Sequence, residues 1–157
     1  MKPTVYLETT IPSLLTAWPS RDVVIAGQQQ VTRDWWGTRR GDFQLFVSEL
    51  VLEEAGLGDS AAAALRLEAV AGCALLAATK ETQELARALL DSRLIPQNAA
   101  ADAAHIAVAA VHGMNFLLTW NCRHIANATL VEPIRAVCLG AGFPAPVICT
   151  PVELMIR

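Results

Sequence analysis

The chain has 157 residues, of which 54% are hydrophobic and 17% charged, and its formal net charge is −3. That length suits a single domain, residues 1–157, with one sizeable core, and the apolar fraction excludes a disordered chain. The slight acidity excludes a global basic field of the kind that draws nucleic acid.

The predicted elements alternate along the chain. Thr4-Val5-Tyr6-Leu7 reads as a buried strand of the kind found inside a parallel sheet. It ends on Glu8-Thr9-Thr10, where Thr10 is placed to cap a helix whose early turn tolerates Pro12 and which breaks at Pro19-Ser20. A second helix is predicted from about Asp22 to Arg39, with Trp35-Trp36 near its end. Arg39-Arg40 there either complement the helix dipole or offer a surface to phosphate or a partner. Phe43–Val47 is a second strand, after which Ser48 caps a helix through Glu54. In that helix Leu50, Val51 and Glu54 share a face, whereas Glu49 and Glu53 lie on the other side. A turn at Gly56–Asp59 leads to a helix ending near Val70, and a short apolar stretch follows at Ala74–Ala77. Thr79 caps a helix through Leu90, and Ile95-Pro96-Gln97 opens the alanine-rich helix that carries Asp102 and His105. Residues 116–119 form a third main strand. A short helix is expected at Cys122–Asn127 and a longer one from Glu132-Pro133 to Gly140. Pro146–Thr150 is the last strand, followed by a terminal turn at Pro151–Met155.

Strands alternating with helices argue for an α/β fold with a parallel sheet. Ala103–Cys122 has no formal charge and the length of a bilayer span. Its His105, His112, Gly113 and Asn115 favour a buried helix and strand, so no membrane is expected. Glu8 inside the first apolar stretch argues against a secretory signal. Cys73, Cys122, Cys138 and Cys149 form no CxxC pair, so they read as reduced, buried thiols of a cytoplasmic protein rather than a zinc site. Charge is uneven. Residues 21–40 carry Arg21, Arg33, Arg39 and Arg40 against Asp22 and Asp34, while residues 41–102 carry ten acids against Arg66, Lys80, Arg87 and Arg93. Such a division suits a protein that holds a cation in one place and touches an anion in another.

Sites in parallel sheets form beyond the carboxyl ends of the strands. Glu8 lies just past the first strand and Glu54 one helix-length past the second; Asn121 lies just past the third, and Asp102 is on the helix leading into it. Carboxylates gathered on an apolar scaffold repel one another unless a hard cation sits between them or one takes a proton. Oxygen ligands without cysteine favour Mg²⁺ or Mn²⁺, and a metal so held can polarise a phosphodiester and activate water. The reaction class this suggests is metal-dependent phosphodiester hydrolysis. Each residue also has a structural reading. Asp102 sits in the first turn of a helix, where negative charge is favourable, and Glu8 could accept from helix N–H groups. Asn121 could cap the segment after it, Thr119 could be a strand residue only, and His105 reads as a satisfied buried histidine. Nothing in the sequence fixes the direction of Arg123 or His124. A small-molecule phosphohydrolase is disfavoured by the lack of a Gly-rich phosphate loop.

The motifs YLETT, SELVLEEA, DAAHIA and LLTWNCRHIAN, in that order, resemble those of a PIN domain, and most closely the bacterial PIN proteins grouped with VapC-type toxins of toxin–antitoxin pairs. The resemblance covers the chain from Val5 to the TPVELM end. It implies a three-layer α/β fold, with a central parallel sheet of four to five strands flanked by helices. It further implies an acidic pocket for Mg²⁺ or Mn²⁺, ribonuclease activity on single-stranded RNA, a homodimer and a cognate antitoxin partner. Carried over by position, the metal ligands would be Glu8, Glu54 and Asp102, with Asn121 at the fourth acidic site and Thr119 as its accompanying hydroxyl. Glu8 and Asn121 depart from the family's usual aspartates, and Asn115 stands where an aspartate is frequent. Fewer charges imply weaker metal binding, so a PIN-fold module that binds RNA or protein without cutting is the alternative. Trp35-Trp36 is the stretch whose composition suits a partner or dimer surface or, equally, the core.

Overall fold

The computed structural model describes residues 1–156. Among them, five strands and seven α-helices follow in the order β1 (Thr4–Leu7), α1 (Thr10–Thr16), α2 (Val23–Thr38), β2 (Gln44–Ser48), α3 (Glu49–Ala55), α4 (Ser60–Val70), β3 (Ala74–Leu76), α5 (Lys80–Asp91), α6 (Ala100–Val111), β4 (Phe116–Leu118), α7 (Ala128–Gly140) and β5 (Val147–Cys149). The strands form one parallel sheet in the order β3-β2-β1-β4-β5. Helices cover both faces: α2 and α4 pack on α1, and α6 and α7 pack on α5. The expected three-layer α/β architecture is therefore present.

The sheet is apolar where it is covered on both sides. Val5, Tyr6 and Leu7 of β1 and Leu117 and Leu118 of β4 are fully buried. The edges are not: Leu75 of β3 and Val147 of β5 are each about half exposed. Helix α6 is the other core element. Its sequence is mostly alanine with Ile106 and Val108, and seven of its twelve residues are buried. No helix is long and apolar enough to cross a membrane among the described residues.

From β1 the chain crosses towards β2 and β3; from β4 it crosses the other way, to β5. Neighbouring strands whose connections leave in opposite directions open a crevice at their carboxyl ends, where ligands of α/β sheets bind. Here that switch point lies between β1 and β4, paired in the register Val5–Phe116, Tyr6–Leu117, Leu7–Leu118.

Several expectations are corrected. Residues 122–127 form turns, not a helix, because the Asn121 carbonyl accepts from the N–H groups of both Ile125 and Ala126 and closes a single tight loop. Helix α7 begins at Ala128 instead of Glu132, since Asn127 caps it through Thr129; Pro133 sits in the second turn, where it forgoes one backbone bond. Trp35 is fully buried against Phe43 and belongs to the core, and Trp36 packs beside it under the Arg40 guanidinium, 4.9 Å from the ring centroid. Arg39 is spent within the chain, on Asp42 at 2.8 Å and the Met155 carbonyl at 2.9 Å. All four cysteines are free thiols, as expected, but only Cys138 and Cys149 are buried; Cys73 is partly buried and Cys122 is exposed.

Candidate functional site

The residue after β1 extends its ladder: the Glu8 N–H donates to the Leu118 carbonyl at 3.0 Å. This turns the Glu8 side chain into the β1–β4 crevice, where it is only 4% exposed. Its Oε1 accepts from the Thr10 N–H at 3.1 Å, the Thr10 hydroxyl at 2.5 Å and the Thr119 hydroxyl at 2.7 Å. Burying a carboxylate is costly unless it is well bonded, and three donors on one oxygen supply that bonding. Thr119, just past β4, in turn accepts from the Asn121 N–H at 2.9 Å, and Thr10 accepts from the Trp120 N–H at 2.8 Å. The Trp120 indole donates to Thr32 at 2.7 Å and fastens this loop to α2.

Glu54 reaches the site by helix phase. Val51 is buried, Glu54 is partly exposed, and Glu49 and Glu53 point to solvent, as the spacing predicts. Glu54 Oε1 accepts from the Thr9 hydroxyl at 2.7 Å and from His105 Nε2 at 2.6 Å. Burial alone would push its carboxyl up, but the bonds donated by His105 and Thr9 outweigh that and hold it below the usual range. His105 Nδ1 lies 2.7 Å from the Tyr6 phenol, which lies 2.8 Å from the Ser48 hydroxyl.

Asp102 occupies the first turn of α6, and its Oδ2 accepts from His124 Nδ1 at 2.9 Å. Asn121 Oδ1 accepts from the His124 N–H at 3.0 Å, so the amide oxygen shapes the loop that presents this histidine. Asp102, His124 and Arg123 line a cavity of about 480 Å³ together with Pro96 and Asn98.

The five residues singled out in the sequence thus lie along one series of bonds. Thr119 joins Glu8 to Asn121, His124 joins Asn121 to Asp102, and Thr9 and Thr10, adjacent in the chain, hold Glu54 and Glu8. No three His, Cys, Asp or Glu side chains among the described residues form a group able to hold an ion by themselves. Each carboxylate has one oxygen engaged by the protein, namely Glu8 Oε1, Glu54 Oε1 and Asp102 Oδ2. The other oxygen of each has no hydrogen bond from the described residues, and none of these atoms is both buried and unsatisfied. This donor set fits a hard ion held by one or two carboxylates and completed by water and substrate phosphate; it is not a closed protein cage.

Sequence reasoning missed Tyr6, Ser48, Thr9 and Thr10 as members of this network. Thr10 and Ser48 read as helix caps, but Thr10 is the first residue inside α1, whose N-cap is Thr9, and neither Thr9 nor Ser48 makes a side-chain cap bond, because their hydroxyls engage Glu54 and Tyr6. No protein-family model and no curated protein matches the chain.

Proposed function

We propose that the chain is a metal-dependent endoribonuclease of the PIN type, with Mg²⁺ or Mn²⁺ held by one or two of Glu8, Glu54 and Asp102 and completed by water and substrate phosphate. The observation that carries this reading is the placement of carboxylates around the β1–β4 switch point, each with one oxygen fixed by the protein and the other left open. The ion, when bound, supplies a Lewis acid for the scissile phosphate and an activated water. The chain's own residues do the rest. Thr10 and Thr119 keep Glu8 oriented in a nearly solvent-free crevice, and Thr9 with His105 does the same for Glu54. Arg123, exposed at the rim of the Asp102 cavity and without a side-chain bond among the described residues, is placed to meet an RNA phosphate. A second copy of the chain and an antitoxin are further partners of this reading, to be sought by light scattering and by co-purification.

The test is Asp102→Asn. It is expected to lower Mn²⁺-dependent cleavage of single-stranded RNA by about 100-fold or more while leaving the melting temperature within a few degrees of wild type. Cleavage by the variant at the wild-type rate sinks the assignment. A second reading, a PIN-fold module that binds RNA or protein without cutting, is favoured by one observation: Asn121 spends its only side-chain acceptor oxygen on the His124 N–H. Calorimetric titration with Mn²⁺ separates the two, since the nuclease must take up metal and a binding module need not.

A further inference from the structure

We infer that His105, braced from behind by Tyr6, is a positioning residue for Glu54, holding Oε1 on the protein side so that Oε2 remains the open oxygen. The inference rests on the nuclease reading above and extends it to two residues that touch neither metal nor substrate.

His105 has no exposed surface, and Ala103, Ile106, Ala107, Val108 and Ala109 around it on α6 are buried, whereas Ala104 and Asp102 are partly exposed. Such a position is one for an aliphatic side chain. An apolar residue there would need no partner, whereas a buried imidazole needs both nitrogens satisfied. The same holds for Tyr6, which is fully buried in the central strand, where phenylalanine would pack as well. Two polar side chains have therefore been placed in the core, and they meet. Ser48, Tyr6, His105 and Glu54 follow one another at 2.8, 2.7 and 2.6 Å, and the series ends on a single oxygen of a carboxylate at the crevice. It ties β2, β1, α6 and α3 together at that atom.

The hydrogens have a direction. An ionised Glu54 can only accept, so Nε2 carries a hydrogen and donates it. The Tyr6 phenol carries its proton at neutral pH, as an ordinary phenol does, and can donate once and accept once. The arrangement that uses each hydrogen once runs from the Ser48 hydroxyl to Tyr6, from the Tyr6 hydroxyl to His105 Nδ1, and from His105 Nε2 to Glu54. Tyr6 then fixes the ring orientation, and the ring, with Thr9, fixes Glu54. Partners that orient a metal-binding side chain in this way typically change metal affinity by about 10–100-fold when removed.

The experiment is Mn²⁺ calorimetry on the full chain, run beside ¹⁵N spectra of the imidazole and near-UV circular dichroism. His105→Leu is expected to weaken Mn²⁺ binding by about 10-fold or more with the tertiary spectrum intact, and His105→Gln, whose amide can still donate to Glu54, should recover part of the loss. Tyr6→Phe is expected to move the His105 Nδ1 resonance to that of a nitrogen without a donor and to weaken binding by a smaller factor. A folded His105→Leu with wild-type affinity overturns the inference and leaves the histidine a packing residue. Should that variant not fold, Tyr6→Phe decides: an unmoved resonance with wild-type affinity overturns it equally. A wild-type chain that takes up no Mn²⁺ removes the nuclease reading and this inference together, whereas Mn²⁺ uptake that the variants do not alter removes only the inference.

Discussion

Strands β1 and β4 are joined by polar side chains at both ends, and the two joints differ in kind. At the amino end, Asn115 Oδ1 accepts from the Thr4 N–H at 2.9 Å and the Thr4 hydroxyl at 3.0 Å, and the Asn115 N–H donates to that hydroxyl at 2.9 Å. This clamp is neutral, closed on itself and exposed. At the carboxyl end, Thr10 and Thr119 converge on Glu8, a carboxylate that is nearly fully buried. An amide would pin the strands there at lower cost, as Asn115 does at the other end, because no charge would leave water. The use of a carboxylate where an amide would serve the fold supports the proposed site, and it falls at the end where the topology opens a crevice.

The sharpest way to break this comparison is to make the carboxyl end resemble the amino end. Glu8→Gln keeps an oxygen for Thr10 and Thr119 but removes the charge. It is expected to reduce Mn²⁺-dependent RNA cleavage by about 100-fold or more while moving the urea midpoint little, because the amide oxygen still accepts. If the variant cleaves like wild type, the carboxyl end is a strand clamp like the other and the comparison collapses.

The pH dependence of stability rests elsewhere, on thiols outside both joints. Burial pushes the thiol of Cys149, at the carboxyl end of β5, up to about 12, and that of Cys73, just before the amino end of β3, up to about 11 against an opposing pull from Arg40. Cys138 in α7 is likewise raised to about 11 by burial. The folded state thus favours the protonated thiols. Their contribution is fully present below the unfolded value of about 9 and is lost as pH rises from there towards 11–12. Urea midpoints should be flat between pH 7 and 8 and fall steeply above pH 9. A midpoint that holds to pH 11 would show that these thiols ionise without strain on the fold.

Most of the framework was legible in the sequence because the elements are written in period and punctuation. The apolar run Thr4–Leu7, the caps Asp59 and Thr79 and the phase of Glu54 in its helix all depend on neighbours within four residues, and the structure contains each of them. The errors arose where a local rule met a distant partner. Ser48 carries the chemistry of a helix cap, but its hydroxyl pairs with Tyr6, 42 positions away, and the cap position of α1 falls to Thr9, whose hydroxyl goes to Glu54, 45 positions away. His105 reads correctly as a satisfied buried histidine; that one of its two partners is Glu54, 51 positions away, has no signal in a single sequence. The turn at 122–127 was missed because Asn121, which could equally begin a helix, closes the loop through two backbone bonds to its own carbonyl.

A capping threonine and a site threonine supply the next contrast, of smaller size. Thr79 caps α5 in the ordinary way, accepting from the Thr82 N–H, with the Thr82 hydroxyl accepting in return. Thr79→Ala should therefore lower stability by about 1 kcal/mol and leave cleavage unchanged. Thr10→Val should have the opposite profile. Helix α1 loses no cap, but Glu8 loses its shortest bond and the Trp120 N–H loses its acceptor, so cleavage is expected to fall about tenfold. Denaturation curves and single-turnover rates measured on both variants would show whether the two threonines exchange roles as the bonding requires.

The smallest effect is expected at the amino end. Asn115→Ala deletes the acceptor of two bonds from Thr4, but the site is exposed and water can replace the amide. The net loss should be about 0.5–1.5 kcal/mol, read as a shift in the urea midpoint at unchanged slope. Cleavage and Mn²⁺ affinity should stay at wild-type values, because the β1–β4 register also rests on the pair Val5–Phe116 and the buried pairs Tyr6–Leu117 and Leu7–Leu118. A loss of activity larger than the loss of stability would mean that the clamp at one end of these strands sets the geometry at the other, and the division between a neutral joint for the fold and a charged joint for the chemistry would have to be given up.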